Sequence, residues 1–279
     1  MPFTIIKKRE LVPTIHQLDV AAPRVAEKTM PGQFVILRID ECGERIPLTI
    51  ADFDAADGTV TLIFQEIGKT TRQLASLDAG DSIADLAGPL GRASAIERFG
   101  TVVCVGGGVG IAPIFPIARG LKVAGNRVIS IIGARSADIL FWEERMEEAS
   151  SKLYVTTDDG TKGHHGFVTD IVQKVIESGE QVDRVIAIGP PVMMRAVAGV
   201  TKPFGVKTVV SLNPIMVDGT GMCGACRVLV GGVTKFACVD GPEFDAHEVD
   251  FTLLMSRLAM YLPEEKEALD YEAAAEPKI

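Results

Sequence analysis

Three of the five cysteines lie in one short segment of the chain. Cys223, Cys226 and Cys238 follow the spacing C-x₂-C-x₁₁-C. A plant-type [2Fe–2S] loop reads C-x₄-C-x₂-C…C, and the place of its first cysteine is held here by Asp218. Glycines at 219, 221 and 224 allow backbone turns that bring amide N–H groups to cluster sulfurs. The segment therefore predicts a [2Fe–2S] site with three sulfur ligands and one oxygen ligand, and hence one-electron transfer.

Two other interpretations of this segment stay open. Tetrahedral zinc also takes C-x₂-C with further Cys, His or carboxylate ligands. The second half of the segment offers zinc Cys238 and, nine residues on, His247. The remaining interpretation is three buried thiols without a ligand. The spacing favours the iron–sulfur cluster over both.

A glycine cluster between an apolar run at 101–105 and a helix-like stretch predicts a nucleotide site. Glycine lets the backbone approach a pyrophosphate at a helix N-terminus, although such a turn also occurs as mere tight packing. The match to G-x-G-x-x-G is incomplete, because its sixth position is Ile111 and no acid follows about 20 residues on. The candidate residues are Gly107, Gly108, Gly110 and Pro113, with Gly189 and Pro190 after another predicted strand.

A second set of candidates lies near the N-terminus. A P-loop at 68–70 is excluded, because the required earlier glycine is replaced by Ile63. An amide-rich turn that starts a helix can still hold a flavin phosphate. The candidate turn is Gly68-Lys69-Thr70, and Arg45 and Thr49 place a cation and a hydroxyl beside a predicted strand.

Composition limits the classes of function. The chain has 279 residues, 47% hydrophobic and 23% charged, with a net charge of −9. It is long enough for two ordinary domains. An acidic chain without Lys/Arg-rich runs is not expected to bind nucleic acid. With no apolar run of membrane-spanning length, no secretory signal and no disulfide framework, a cytoplasmic protein is expected.

The order of predicted elements divides the chain. Residues 1–97 carry short strands separated by turns, which predicts a β-barrel. Strands and helices alternate over 98–212, as in an α/β domain with a parallel sheet. Residues 213–250 hold the cysteines around a hairpin signal at Gly231-Gly232, and this hairpin is expected to return the chain so that all four candidate ligands meet. Residues 251–279 are predicted as a helical tail around Pro263.

These parts together resemble the ferredoxin–NADP reductase superfamily over essentially the whole chain. The motifs are Pro47-Leu48-Thr49, Gly68–Thr71, GGGVGIAP and DGTGMCGACRV…FACVDGPEF. Within the superfamily the chain is similar to the electron-transfer subunit of dihydroorotate dehydrogenase. It resembles still more the small-subunit family of NADH-dependent reduced ferredoxin:NADP oxidoreductase, also called sulfide dehydrogenase, because Asp218 replaces a cysteine.

The resemblance implies the cofactors and the partner. It implies FAD in the barrel, with Pro47, Leu48 and Thr49 at the flavin and Gly68, Thr70 and Thr71 near its phosphates. It also implies NAD(H) or NADP(H) at the glycine turn. It also implies a heterodimer with a larger flavoprotein subunit that carries [4Fe–4S] clusters, exchange with ferredoxin through that complex, and electron bifurcation. The absent acid and the pair Arg135-Ser136 favour NADP, whereas the resemblance favours NAD, so the sequence leaves both nucleotides open. The alternatives are a dihydroorotate dehydrogenase subunit and a non-catalytic, zinc-stabilised subunit.

Overall fold

A computed structural model describes residues 2–275. The strands are β1 (Phe3–Val12), β2 (Ile15–Ala21), β3 (Phe34–Arg38), β4 (Ile46–Asp54), β5 (Thr59–Gln65), β6 (Ser82–Ile83), β7 (Asp85–Leu90), β8 (Thr101–Gly107), β9 (Arg127–Ala134), β10 (Lys152–Thr157), β11 (His164–His165), β12 (Arg184–Ile188), β13 (Thr208–Ser211), β14 (Arg227–Val230), β15 (Val233–Phe236) and β16 (Glu243–Asp245). The helices are α1 (Pro23–Ala26), α2 (Lys69–Ser76), α3 (Ile111–Val123), α4 (Glu143–Glu148), α5 (Val168–Glu177), α6 (Pro191–Thr201), α7 (Ala237–Asp240), α8 (Phe251–Leu258) and α9 (Leu262–Ala275).

The first seven strands form an antiparallel barrel. Their order is β6-β1-β2-β5-β4-β3-β7, and the two edge strands are separated in sequence by Ala84 alone. The chain therefore joins one edge of the sheet to the other and closes it. Leu18, Leu37 and Leu62 point inward and are completely buried. The predicted barrel is confirmed.

The second sheet is parallel except at one edge. Its order is β11-β10-β9-β8-β12-β13-β16, with β16 antiparallel to β13. From β8 the chain adds β9, β10 and β11 towards one edge of the sheet, and from β12 it adds β13 towards the other edge. The carboxyl ends of β8 and β12 therefore border the crevice where such sheets bind ligands. The predicted α/β domain is confirmed. The edge strand β16 was not predicted, because it comes from the cysteine-rich segment and is three residues long.

Helix α3 joins the barrel to this sheet. It is buried on most of its surface, and its side chains share one apolar cluster with Ile15, Ala51 and Ile63 of the barrel. Arg119 of α3 donates to the Asp52 carboxylate of β4 at 2.7 Å, and Arg145 of α4 pairs with the same carboxylate. The barrel and the parallel sheet are therefore held by both apolar packing and a shared ion pair.

The hairpin β14–β15 returns the chain beside the barrel. Gly231 and Gly232 both have positive φ, 57° and 75°, as a two-residue hairpin turn requires. Helices α8 and α9 come later in the chain, and the break between them falls at 259–261 and not at Pro263, which is the second residue of α9. Proline is tolerated in a helix's first turn because its missing N–H has no partner there. Residues 276–279 of the predicted tail lie outside the described range. In residues 2–275 no helix combines the length and apolarity needed to cross a bilayer.

Candidate iron–sulfur and nucleotide sites

The predicted cluster segment brings two of its cysteines into contact. The Sγ atoms of Cys226 and Cys238 lie 3.2 Å apart, and the Cys238 N–H points at the Cys226 sulfur at 3.4 Å. Both side chains are buried, although Cys226 precedes the hairpin and Cys238 follows it. The Ala237 N–H donates to the Cys226 carbonyl at 3.1 Å, which closes the loop across the hairpin base. The hairpin thus brings Cys226 and Cys238 together, but within residues 2–275 no third His, Cys, Asp or Glu joins them in one metal-binding group, as the sequence analysis expected of all four ligands.

Cys223 lies in an exposed part of the same loop, and its surroundings favour the thiolate form. Hydrogen bonds from the backbone N–H groups of Ala225 and Asp218 lower the pKa of the Cys223 thiol. Burial, together with the neighbouring Cys226 thiol, raises the pKa of Cys238 to about 12. Cys238 therefore needs an electron-accepting partner, such as iron, to lose its proton near neutral pH.

Asp218 turns one carboxylate oxygen towards its own loop. Its Oδ2 accepts from the Thr220 N–H at 2.9 Å, the Thr220 hydroxyl at 2.5 Å and the Met222 N–H at 3.4 Å. These bonds, Thr220 first, lower the pKa of Asp218, and the nearby Arg45 guanidinium adds to the effect. The carboxylate is therefore ionised and available as a hard oxygen ligand.

The chemistry of this donor set fits a two-iron cluster. Gly219, Gly221 and Gly224 all have positive φ, between 67° and 87°, so the loop curls back on itself and turns its amides inward. A single tetrahedral ion needs all of its donors around one point, whereas the structure pairs Cys226 with Cys238. A [2Fe–2S] cluster instead divides its four ligands between two metals.

The predicted nicotinamide turn lies at the switch point of the parallel sheet. Gly108 has φ +55°, and a Cβ built on it would meet nothing within 4 Å. Gly110 is different, because its Cβ would lie 2.2 Å from the Ile188 carbonyl oxygen at the end of β12. Gly107 lies against Met193, with a Cβ-to-sulfur distance of 2.2 Å. Gly108 therefore faces open space where a ligand's phosphates can approach, while its neighbours allow two chain segments to touch.

The other predicted residues of this site lie close to the same turn. Pro113 is buried in the first turn of α3, and Gly189 with Pro190 links β12 to α6. A Cβ on Gly189 would lie 3.0 Å from the Gly107 carbonyl oxygen. The structure thus brings the two predicted glycine segments together, although they are about 80 residues apart in sequence.

The predicted flavin turn begins helix α2. Thr71 Oγ1 accepts from the N–H groups of Ile67 and Gly68 at 3.0 and 3.1 Å, which fixes the entry into the helix. Gly68 has open space on its Cβ side. Lys69 and Thr70 are the next two residues, and N–H groups in a helix's first turn lack intrahelical partners. This open, amide-rich turn fits a phosphate of FAD.

The predicted flavin strand and the cluster segment share one wall. Pro47, Leu48 and Thr49 of β4 pair with β3, opposite residues 34–36. On β3, Phe34 and Ile36 pack against Met216, Cys226 and Cys238. Arg45 reaches the same segment, because its Nε donates to the Val217 carbonyl at 2.9 Å. One strand therefore separates the two predicted sites.

Sequence reasoning missed a group that joins all three parts. Ser94, in the linker after the barrel, donates to Glu243 of β16, and Gly32 of the barrel packs on Ser94. Burial raises the pKa of Glu243, although Ser94 and Arg184 oppose this. The Arg184 guanidinium lies 3.7 Å from the centre of the Phe99 ring. No local pattern marks these residues, because Ser94 and Glu243 are 149 positions apart.

Comparison with known proteins agrees with this geometry. Residues 213–250 match the iron–sulfur cluster binding domain of dihydroorotate dehydrogenase B, and 104–199 match the oxidoreductase NAD-binding domain. A dihydroorotate dehydrogenase B (NAD⁺) electron transfer subunit homolog from Thermotoga maritima is 47% identical over 96% of this chain and 94% of its own length. The corresponding Bacillus cereus electron transfer subunit is 33% identical over 88% and 96%.

The chain belongs to this family of electron-transfer subunits. A solved structure of an NADH-dependent reduced ferredoxin–NADP oxidoreductase, described in terms of flavin-based electron bifurcation, is 45% identical over 97% of both chains, with a TM-score of 0.93. A ferredoxin–NADP⁺ reductase from Neisseria gonorrhoeae with bound FAD and NADP shares the fold at 18% identity, covering 74% of this chain and 91% of its own, with a TM-score of 0.62.

The predicted family, fold class and cofactors are confirmed. This member of the family is an electron-transfer subunit of an NAD-dependent flavin and iron–sulfur oxidoreductase.

Proposed function

We propose that the chain carries electrons between a nicotinamide nucleotide and a partner subunit in an NADH-dependent ferredoxin:NADP oxidoreductase complex. The observation that carries the proposal is the common wall formed by β3, with the flavin strand on one side and Cys226 and Cys238 packed on it. The similarity to the solved oxidoreductase over 97% of both chains supports the choice of complex. A dihydroorotate dehydrogenase subunit is the second candidate, which the match at 213–250 favours.

Each cofactor is assigned to one part of the chain. We assign FAD to 1–97, the nicotinamide nucleotide to 98–212 and the [2Fe–2S] cluster to 213–250, with 251–279 as a helical tail. The flavin residues are Arg45, Pro47, Leu48, Thr49, Gly68, Lys69, Thr70 and Thr71. The nicotinamide residues are Gly107, Gly108, Gly110, Pro113, Gly189 and Pro190. The cluster ligands are Asp218, Cys223, Cys226 and Cys238.

The protein itself binds the cofactors, orients them and shields them from water. FAD, when bound, exchanges two electrons with nicotinamide and single electrons with a cluster. The open face of Gly108 admits the nucleotide's phosphates, and the Asp52 ion pairs fix the barrel against the nucleotide domain. Burial of Cys226 and Cys238 keeps water from the inner half of the cluster site. No side chain is assigned as a general acid or base.

The outer half of the cluster segment fits a partner subunit. Cys223 is exposed, and the apolar side chains Met222, Val217 and Val239 nearby are 87%, 46% and 40% exposed. Apolar groups on a redox-active surface favour docking with another protein. We assign this face to a larger flavoprotein with [4Fe–4S] clusters, forming a heterodimer through which ferredoxin exchanges electrons.

The fourth ligand is the sharpest test of the cluster assignment. We expect Asp218→Cys to keep the iron and lower the cluster's midpoint potential, since thiolate donates more electron density than carboxylate. Asp218→Ala should lose iron or alter the EPR signal. Asp240→Asn is the matched control, because the Asp240 carboxylate accepts from the Phe236 N–H at 2.8 Å inside the same segment. An unchanged EPR signal and potential in Asp218→Ala would remove Asp218 from the ligand set.

A further inference from the structure

Helix α8 holds the cluster loop through one arginine. Arg257, in the last turn of α8, donates from Nη2 to the Ala225 carbonyl at 3.1 Å. Ala225 lies between the predicted ligands Cys223 and Cys226. One guanidinium group therefore fixes the short stretch of backbone that connects two ligands.

Helix α8, which carries Arg257, is anchored in the nucleotide domain. Phe251 and Leu254 of α8 are buried in the core of the nucleotide domain. Asp250 caps the helix by accepting from the Leu253 N–H at 2.9 Å. Because α8 is anchored at its start and along its buried face, the loop that Arg257 holds is fixed relative to the nucleotide domain.

The charge of Arg257 is not neutralised nearby. Among the described residues, no carboxylate lies within ion-pair distance of it, and its Nε is buried without a hydrogen-bond partner. Arg257, Arg227 and Cys223 line one cavity of about 250 Å³. Two cations therefore border the exposed ligand of a site whose predicted ligands are all anionic.

We propose that Arg257 is a positioning residue that holds the Ala225 peptide and raises the reduction potential of the [2Fe–2S] cluster. Reduction adds one negative charge to the cluster, and a cation in a partly desolvated site stabilises that charge. Holding the Ala225 carbonyl also fixes the backbone between Cys223 and Cys226, the two predicted ligands on either side of it. The inference rests on the proposed function, because it requires the cluster to be present.

The test uses the full chain and three variants. Arg257→Gln removes the charge and weakens the bond to Ala225, whereas Arg257→Lys keeps a cationic donor. Arg227→Gln removes a charge from the same cavity, but the Arg227 side chain has no hydrogen bond to the loop among the described residues. For each protein, iron and sulfide content, thermal unfolding and an EPR-monitored redox titration are measured.

We expect Arg257→Gln to lower the ratio of reduced to oxidised cluster at a fixed potential by about tenfold, or about 59 mV for one electron. Arg227→Gln should shift it less, and Arg257→Lys should recover most of the loss. Equal shifts in Arg257→Gln and Arg227→Gln, or a potential unchanged in Arg257→Gln, would overturn the positioning role. If Arg257→Gln fails to fold, a midpoint potential in Arg257→Lys that lies the full shift of about 59 mV below that of the unaltered chain would overturn it. Absence of an EPR signal in the unaltered chain would instead overturn the proposed function.

Discussion

Gly108 and Gly110 lie two residues apart but should respond differently to the same methyl group. A Cβ on Gly110 would lie 2.2 Å from the Ile188 oxygen, 2.6 Å from the Ile188 carbonyl carbon and 2.8 Å from the Gly189 Cα. These are backbone atoms, so the turn and the end of β12 must separate. A Cβ on Gly108 meets nothing within 4 Å, and only its φ of +55° opposes the change.

The expected losses of stability follow from these distances. Gly108→Ala should cost about 1–2 kcal/mol in the free energy of unfolding, the usual penalty for a left-handed non-glycine residue. Gly110→Ala should cost about 3 kcal/mol or more, the upper range for forced overpacking, because rigid backbone has to move. For nucleotide binding we expect the direct effect to come from Gly108→Ala, although this variant loses less stability. Its methyl group stands where the nucleotide's phosphates approach.

The assay separates folding from binding. Urea denaturation gives the stability of each variant, and anaerobic stopped-flow mixing with NADH gives the apparent Kd and the rate of flavin reduction. We expect Gly108→Ala to retain its flavin but bind NADH about tenfold more weakly, a loss of about 1.4 kcal/mol. Normal NADH affinity in a folded Gly108→Ala variant would refute the assignment of this turn to the nucleotide.

Three further predictions concern the connections between the parts. Asp52→Asn should lower the free energy of unfolding by about 2 kcal/mol, between the values for surface and buried pairs, since the Asp52 side chain is 16% exposed; urea denaturation measures it. Thr71→Val should reduce flavin retained after gel filtration, whereas Thr71→Ser should keep it, because the hydroxyl accepts two backbone N–H groups. Burial raises the pKa of Glu243 above its ordinary 4.5, so the folded state binds its proton more tightly than the unfolded chain does. Stability from this group is therefore lost as pH rises above 4.5, and Glu243→Gln should flatten the fall in Tm with rising pH above that value.

The sequence predicts the parts of the site that depend on local spacing. The hairpin after Cys226 is marked by Gly231-Gly232, and it brings Cys238 back to Cys226 as expected. The strand–glycine–helix order likewise predicts the turn at Gly108. In both cases the signal and the structure it specifies lie within about 15 residues of each other.

The connections between the parts were not predictable in this way. Asp52 meets Arg145 across 93 residues, and Arg257 meets Ala225 across 32 residues through the packing of α8. The residues around a charged side chain in a strand or at a helix end do not show whether that side chain pairs with a distant residue or with water. The different functions of Gly108 and Gly110 were hidden for the same reason, because Ile188 is distant in sequence.

The most direct test of the account is an anaerobic titration of the purified chain with NADH, followed by absorption and EPR spectroscopy. The account predicts that NADH bleaches a bound flavin and that a reduced [2Fe–2S] signal then appears, with about two irons and two sulfides per chain. A chain that contains zinc instead of iron, or a cluster that stays oxidised while the flavin is reduced, would contradict electron transfer between the two sites.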